Sequence, residues 1–157
     1  MRVLRVALDV PLATLFDYTT AEALDAQPGD RVVVPFGARA RVGVVVEAAA
    51  GSSVPTAKLK PVTRVLEDAP RLPAQWLELM RFLAAYYQRP LGETVMGALP
   101  PRLRSLKPLP KNVREAAAPQ PASARFVSSH TPTAGQARAI ERIGGALGRF
   151  QPFLLHG

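Results

Sequence analysis

The sequence predicts an α+β fold: a small twisted antiparallel β-sheet or barrel closed by an amphipathic helix, then an extended basic linker and a helical fragment. Short valine-rich runs crowd the chain before residue 70, the apolar residues switch to helical spacing after Pro73, and basic and then Pro/Ala/Ser-rich sequence follows residue 101.

Each element has its own signal. Residues 3–9, VLRVALD, alternate well enough for a half-buried strand. The turn signal PGD at 28–30 launches a second, RVVV, and RVGVVVE at 41–47 makes a third. Pro35 cannot donate a ladder hydrogen bond and Gly37 tolerates positive φ, so the first valine run is expected to end there and turn through FGARA. PVTRVLE at 61–67 reads as another strand. LFDYTT at 15–20 is expected where the first strand hands over to the next.

Pro73 suits the first position of a helix over 73–88, on which Trp76, Leu79, Met80, Leu83 and Tyr87 share a face. Gly92 and Pro100-Pro101 bracket a shorter helical piece, ETVMGAL, and the core closes near residue 101. Residues 102–114 hold five basic side chains, no acid and two prolines, the composition of an extended strap. EAAAPQPASA then reads as a flexible linker from about 115 to 128. Near TPTAGQARAIERI, Thr131 or Thr133 can cap a helix with Ala137, Ile140, Ile143 and Leu147 along one side, and FLLHG reads as the start of a buried strand. The expected divisions are a domain over 1–105, strap and linker over 106–130, and an incomplete second unit over 131–157. One helix and half a strand cannot close a core.

Composition narrows the function. Lys and Arg outnumber Asp and Glu by 20 to 12 in 157 residues, a net charge of +8, which favours an anionic partner such as nucleic acid or a membrane surface. No apolar run approaches the ~18 residues of a membrane span, and MRVLRVALDV lacks a signal-peptide core, so a cytoplasmic chain without a membrane partner is expected. With no cysteine and two distant histidines, no metal is expected within these residues.

Asp17 lies between Phe16 and Tyr18. Two readings stand: core aromatics flanking a solvated acid, or a pocket for one nucleobase. In the second, an aromatic or main-chain wall stacks a base and the carboxylate accepts hydrogen bonds while repelling phosphate. Such a site suits a strand terminus, where a hydroxyl stands in place of the next phosphate. The helical spacing of Trp76, Tyr86 and Tyr87 favours core packing over stacking platforms.

The ordered series FDY, GDRVVVPFG, RVGVVV, LKPVTRVLE, AAYYQRPLGE and ALPPRLR resembles the N-terminal region of the PriA family of primosomal replication-restart helicases, over residues 1–105. The resemblance implies a domain that captures the 3′ end of the nascent leading strand at abandoned replication forks, in replication restart and primosome assembly. Carried over to matching positions, it implies a terminal-nucleotide site of Phe16, Asp17, Tyr18 and Gly37, with Lys60 neutralising a nearby phosphate. Gly37 would let a base approach bare main chain, and Pro35 would stiffen that turn. Phe36 is expected to plug the barrel end. Arg39, Arg41, Arg102, Arg104, Lys107 and Lys111 are expected to attract the DNA backbone without reading bases.

Residues 131–157 resemble the start of the family's first helicase lobe, with Gln136 matching an adenine-reading glutamine and Gly157 matching at most the first residue of a phosphate loop. ATP, magnesium and zinc are therefore expected only in a longer parent protein, and no ATPase activity in this chain. Forked or single-stranded DNA with a free 3′-hydroxyl is the expected partner, with other primosome proteins and single-stranded DNA-binding protein as further ones. The winged-helix domain that the family carries between its 3′-end binder and helicase lobe has no room here. Two other readings are a fragment of an ATP-dependent 3′→5′ helicase and a small-barrel RNA or protein interaction module without 3′-end specificity.

Overall fold

The computed structural model describes residues 2–20, 24–110 and 130–156 and divides at Ala118/Pro119 into two compact units. The first unit is a six-stranded sheet with two helices. Its strands are β1 (Val3–Ala7), β2 (Phe16–Thr19), β3 (Arg31–Phe36), β4 (Arg39–Ala49), β5 (Lys60–Pro61) and β6 (Arg64–Leu66), in spatial order β5-β2-β1-β4-β3-β6.

Chain connectivity forces this sheet to curl. β5 and β6 occupy opposite edges, yet only Val62 and Thr63 separate them. Three Cα steps span at most about 11 Å, whereas the edges of six flat strands would stand about 24 Å apart. The two edges must therefore meet, and main-chain bonds pin them there: Val62 N–H donates to Thr19 O (2.9 Å) and Thr63 N–H to Val33 O (2.9 Å). The result is a half-barrel, matching the expected α+β class. The sheet is mixed rather than antiparallel throughout, because β5 runs parallel to β2, with Tyr18 opposite Lys60.

Curling also explains the unbroken valine runs. Val32, Val34, Val45 and Val62 face the inside of the curl with Leu4, Val6, Leu8 and Tyr18. Val33, Val42, Val44 and Val46 face the helices with Leu77, Met80, Val95 and Met96. Both faces are buried, so the strands carry apolar residues continuously instead of alternately.

Three strands differ from expectation. PVTRVLE is not one strand: it breaks at Val62 and Thr63, with Pro61 ending β5 and Arg64–Leu66 forming β6 on the opposite edge, because the chain crosses there where the curled edges meet. FDYT is a strand, not a connection, paired with β1 from Val6↔Phe16 to Val3↔Thr19. β3 continues through Pro35 to Phe36, because its pairing with β6 stops at Val33 and leaves Pro35 only β4 beside it, where a missing N–H costs no ladder bond.

The helices are α1 (Ala74–Tyr86) and α2 (Leu91–Ala98). α1 buries Leu77, Met80 and Ala84, with Trp76 and Leu83 at the margin, whereas Leu79 and Tyr87 of the expected face are exposed. In so apolar a helix two stripes share the spacing, and the sheet selects one. Tyr86 and Tyr87, expected in the core, are 69% and 64% exposed, because the chain leaves the helix through Gln88 at φ 52° just where they project. α2 lies so close to β1 that a Cβ on Gly92 would stand 2.4 Å from the Leu8 carbonyl oxygen.

The basic strap is not extended at its start: Pro101–Arg104 forms a 3₁₀ turn that the backbone completes through Leu103 N–H to Pro100 O. Residues 111–114 of the strap, including Lys111, and the linker at 115–128 lie outside the described residues. In the second unit, α3 (Ala134–Gly144) carries a capping box between Thr133 and Gln136. The apolar side expected on α3 is not buried within this unit, with Ile140 61% exposed and Leu147 81%, and residues 151–156 form no strand. A strand needs a neighbouring strand to pair with, and the described part of the unit holds none.

Candidate nucleic-acid interface

β2, the β3–β4 hairpin and the loop from β4 to β5 surround a groove of about 700 Å³. Its lining includes Phe16, Asp17, Tyr18, Gly37 and Lys60, together with Arg5, Pro35, Phe36, Glu47, Ser53, Val54 and Lys58. The five residues come from three distant segments, and the strand order assembles them. β2 supplies the first three, the hairpin turn supplies Gly37, and the parallel pairing of β5 sets Lys60 beside Tyr18.

Asp17 stands in a cross-strand row. Arg5 of β1 pairs in register with Asp17 on one side and Glu47 of β4 on the other, so one guanidinium lies between two carboxylates. Arg5 binds Glu47 directly and lies 3.7 Å from Asp17 Oδ1, while Ser52 Oγ donates to Asp17 Oδ2. Arg81 approaches the other Glu47 oxygen at 3.8 Å. The Asp17 side chain is only 11% exposed, yet it lines the groove. An ionised carboxylate has about four acceptor sites. Ser52 uses one, and the Arg5 contact is longer than a hydrogen bond, so capacity is left for a donor in the groove.

The two rings beside Asp17 do different work. Phe16 is half-buried and meets Phe36 edge to face at 5.1 Å, so the rings brace each other at the mouth of the curl while touching its inner cluster. Tyr18 is buried at 4% exposure, and its hydroxyl donates to Pro35 O at 3.1 Å. Burial pushes its phenol pKa up to about 12. Tyr18 therefore ties β2 to the hairpin, while its edge lines the groove.

Gly37 and Ala38 form a two-residue turn between the paired Phe36 and Arg39. Positive φ occurs at the first central position alone, at 59°, the φ pattern of a type II′ hairpin that favours glycine there. A Cβ on Gly37 would meet nothing within 4 Å, so the main chain faces open space.

The expected backbone-contacting residues divide. Arg39 and Arg41 are exposed on the hairpin, with the Arg41 guanidinium 5.5 Å from the Phe36 ring centre. Arg102 and Lys107 are exposed and Arg104 half-buried on the strap. None of these five lines the groove. Gln136 is exposed in the second unit, its side-chain oxygen accepting the Thr133 N–H at 2.9 Å, and Gly157 lies outside the described residues.

Arg5, Glu47, Ser52 and Lys58 escaped sequence reasoning. Arg5 and Glu47 look like ordinary solvated strand residues until register sets them beside Asp17. Lys58 had a signal, since the lysines of AKLK fall two apart, and the 3₁₀ turn Thr56–Lys58 leads straight into β5.

Residues 5–100 match the family model described as the 3′DNA-binding domain (3′BD) of PriA. The replication restart protein PriA of Haemophilus influenzae is 40% identical over 114 residues, covering 73% of this chain and 16% of that protein. Those of Rickettsia felis and Treponema pallidum are 36% and 33% identical, each match covering 64% of this chain. The chain thus spans about a sixth of the length of these relatives. A family match across most of the curled sheet and both helices, in the order the groove requires, means that this chain belongs to the PriA family through its 3′-DNA-binding domain.

Proposed function

We propose that the groove holds the 3′-terminal nucleotide of a DNA strand, and that the domain thereby captures nascent leading strands at stalled forks during replication restart. DNA binding in replication restart is the family's business; recognition of the strand end is the finer reading. One observation carries it: a carboxylate with spare acceptor sites sits in a groove that also contains bare main chain at Gly37 and two lysines. A terminal hydroxyl can donate to Asp17. A further phosphate at that position meets a negative charge instead, so a continuing strand is disfavoured. Lys58 and Lys60 supply charge for the phosphate on the nucleotide's 5′ side.

Binding of a short single strand ending in 3′-hydroxyl against the same strand ending in 3′-phosphate tests the reading. The hydroxyl form should bind about tenfold tighter, and Asp17→Asn should reduce that ratio toward one, while Arg39→Ala weakens both forms together. Asn keeps the size of Asp and can still accept from Ser52, which preserves the fold around it. Equal binding of the two ends would favour a module without 3′-end specificity.

For the longer parent protein, the proposal extends to an ATP-driven 3′→5′ helicase that uses ATP, magnesium and zinc and meets other primosome proteins and single-stranded DNA-binding protein. No lysine occurs among the described residues of the second unit, so the lysine that a phosphate loop requires is not among them.

A further inference from the structure

The arginines of the first unit fall into two groups. Arg2, Arg5, Arg31, Arg71, Arg81 and Arg89 each stand within 4 Å of a carboxylate. Among the described residues of this unit, Arg39, Arg41, Arg64, Arg102 and Arg104 have no such pair, although Arg64 donates to the Leu106 carbonyl. Unneutralised like charges repel one another unless an anion is supplied.

Two of them converge. Arg41 from β4 and Arg104 from the 3₁₀ turn line one concavity of about 210 Å³, floored by Val42, Met96 and Leu106. A cavity of this size suits a phosphate rather than a base together with its sugar. Asp9 also lines it and is the only acid that does. Arg41 joins this concavity to the groove: it lines the concavity, and its guanidinium lies 5.5 Å from the centre of the Phe36 ring, which lines the groove and meets Phe16 edge to face. Along β4, Arg41 is two residues past the Phe36↔Arg39 pair, about 7 Å from the turn.

We propose that the Arg41–Arg104 concavity is a second phosphate subsite, which takes a phosphodiester one or two steps to the 5′ side of the one at Lys58 and Lys60 and leads the strand out over the β3–β4 hairpin. This rests on the terminal-nucleotide reading. Lys58 and Lys60 line the groove itself and serve the terminal nucleotide, so the next unpaired cations joined to it are those across Phe36. Asp9 moderates the subsite and makes it weaker than its two arginines alone.

The experiment compares oligothymidylates of two and eight nucleotides, each with a 3′-hydroxyl or a 3′-phosphate, on the whole chain and on Arg41→Gln, Arg104→Gln, the double variant and Asp9→Asn. Chemical-shift titration reads the dinucleotide and fluorescence anisotropy the octanucleotide. Each arginine variant should weaken the octanucleotide three- to tenfold, lower the salt slope by about one contact, and leave the dinucleotide unchanged. Asp9→Asn should tighten the octanucleotide two- to threefold. Gln keeps part of the Arg stem, and thermal denaturation checks that the hairpin stays folded. The subsite is overturned if the octanucleotide binds the double variant as it binds the parent, which would send the strand out past β5, or if both lengths weaken alike. The underlying reading fails separately, by a 3′-hydroxyl to 3′-phosphate ratio of one in the unaltered chain.

Discussion

Tyr18 and Asp17 are neighbours with opposite allegiances, and the alternation of β2 is the cause. Successive side chains of a strand point to opposite faces, so Tyr18 enters the core while Asp17 joins the Arg5–Glu47 row. Tyr18→Phe removes the bond to Pro35 O and leaves the ring in place. It should cost about 1 kcal/mol in urea denaturation and loosen the turn that carries Gly37. The pH dependence has a definite sign. The folded pKa, about 12, lies above the ordinary phenol value of 10.0, so the neutral phenol is favoured by folding. That contribution is whole below pH 10 and is lost as pH rises through about 12; the Phe variant should lose less stability across this window than the parent. The aromatic-flanked acid was legible at this scale, whereas its grouping with Gly37 and Lys60 was implied only by the family resemblance of their segments. Arg5 and Ser52 were not legible, since their relevance depends on which residues fold beside them.

The strap shows what an element gains from docking. Residues that read as a wet, extended tether are latched along β3 and β6: Arg31 donates to Leu103 O (3.2 Å), Arg64 to Leu106 O (3.2 Å), and Leu109 N–H to Asp68 Oδ2 (2.8 Å). The latch centres on a buried Arg31–Asp68 pair, with side chains 3% and 10% exposed. Burial alone would raise the Asp68 pKa, but the Leu109 amide and the Arg31 guanidinium outweigh it and hold it below the usual value. A depressed carboxylate pKa stabilises the fold above the unfolded value near 3.8, and that stability disappears as pH falls through the folded one. Asp68→Asn should cost about 3 kcal/mol at neutral pH by stranding Arg31, flatten the acid limb of stability, and accelerate hydrogen exchange at Leu109. A rigid turn at Pro101–Arg104 is also what holds Arg104 opposite Arg41. The sequence announced the cations but not the latch, whose halves lie about forty residues apart.

For the whole molecule, charge is the governing quantity. A net +8 is tolerable when much of it is neutralised at a bound polyanion. If Lys58, Lys60, Arg41 and Arg104 each neutralise a phosphate, binding of a single strand should fall with a log–log salt slope of about −3, at about 0.7 per contact. Titration from low to physiological salt checks this. Arg89→Ala, which removes a cation already paired with Glu93, should leave the slope unchanged.

The order of segments, the class of fold, the basic balance and the aromatic-flanked acid were determined by sequence alone, since each is a property of composition or of a few adjacent residues. Only the tertiary structure decided that the sheet must curl and which stripe of α1 is buried. It alone set Arg5 beside Asp17, and Arg104 beside Arg41. Those outcomes depend on register and edge closure, in which residues distant along the chain compete for the same neighbours, and no local pattern encodes the winner.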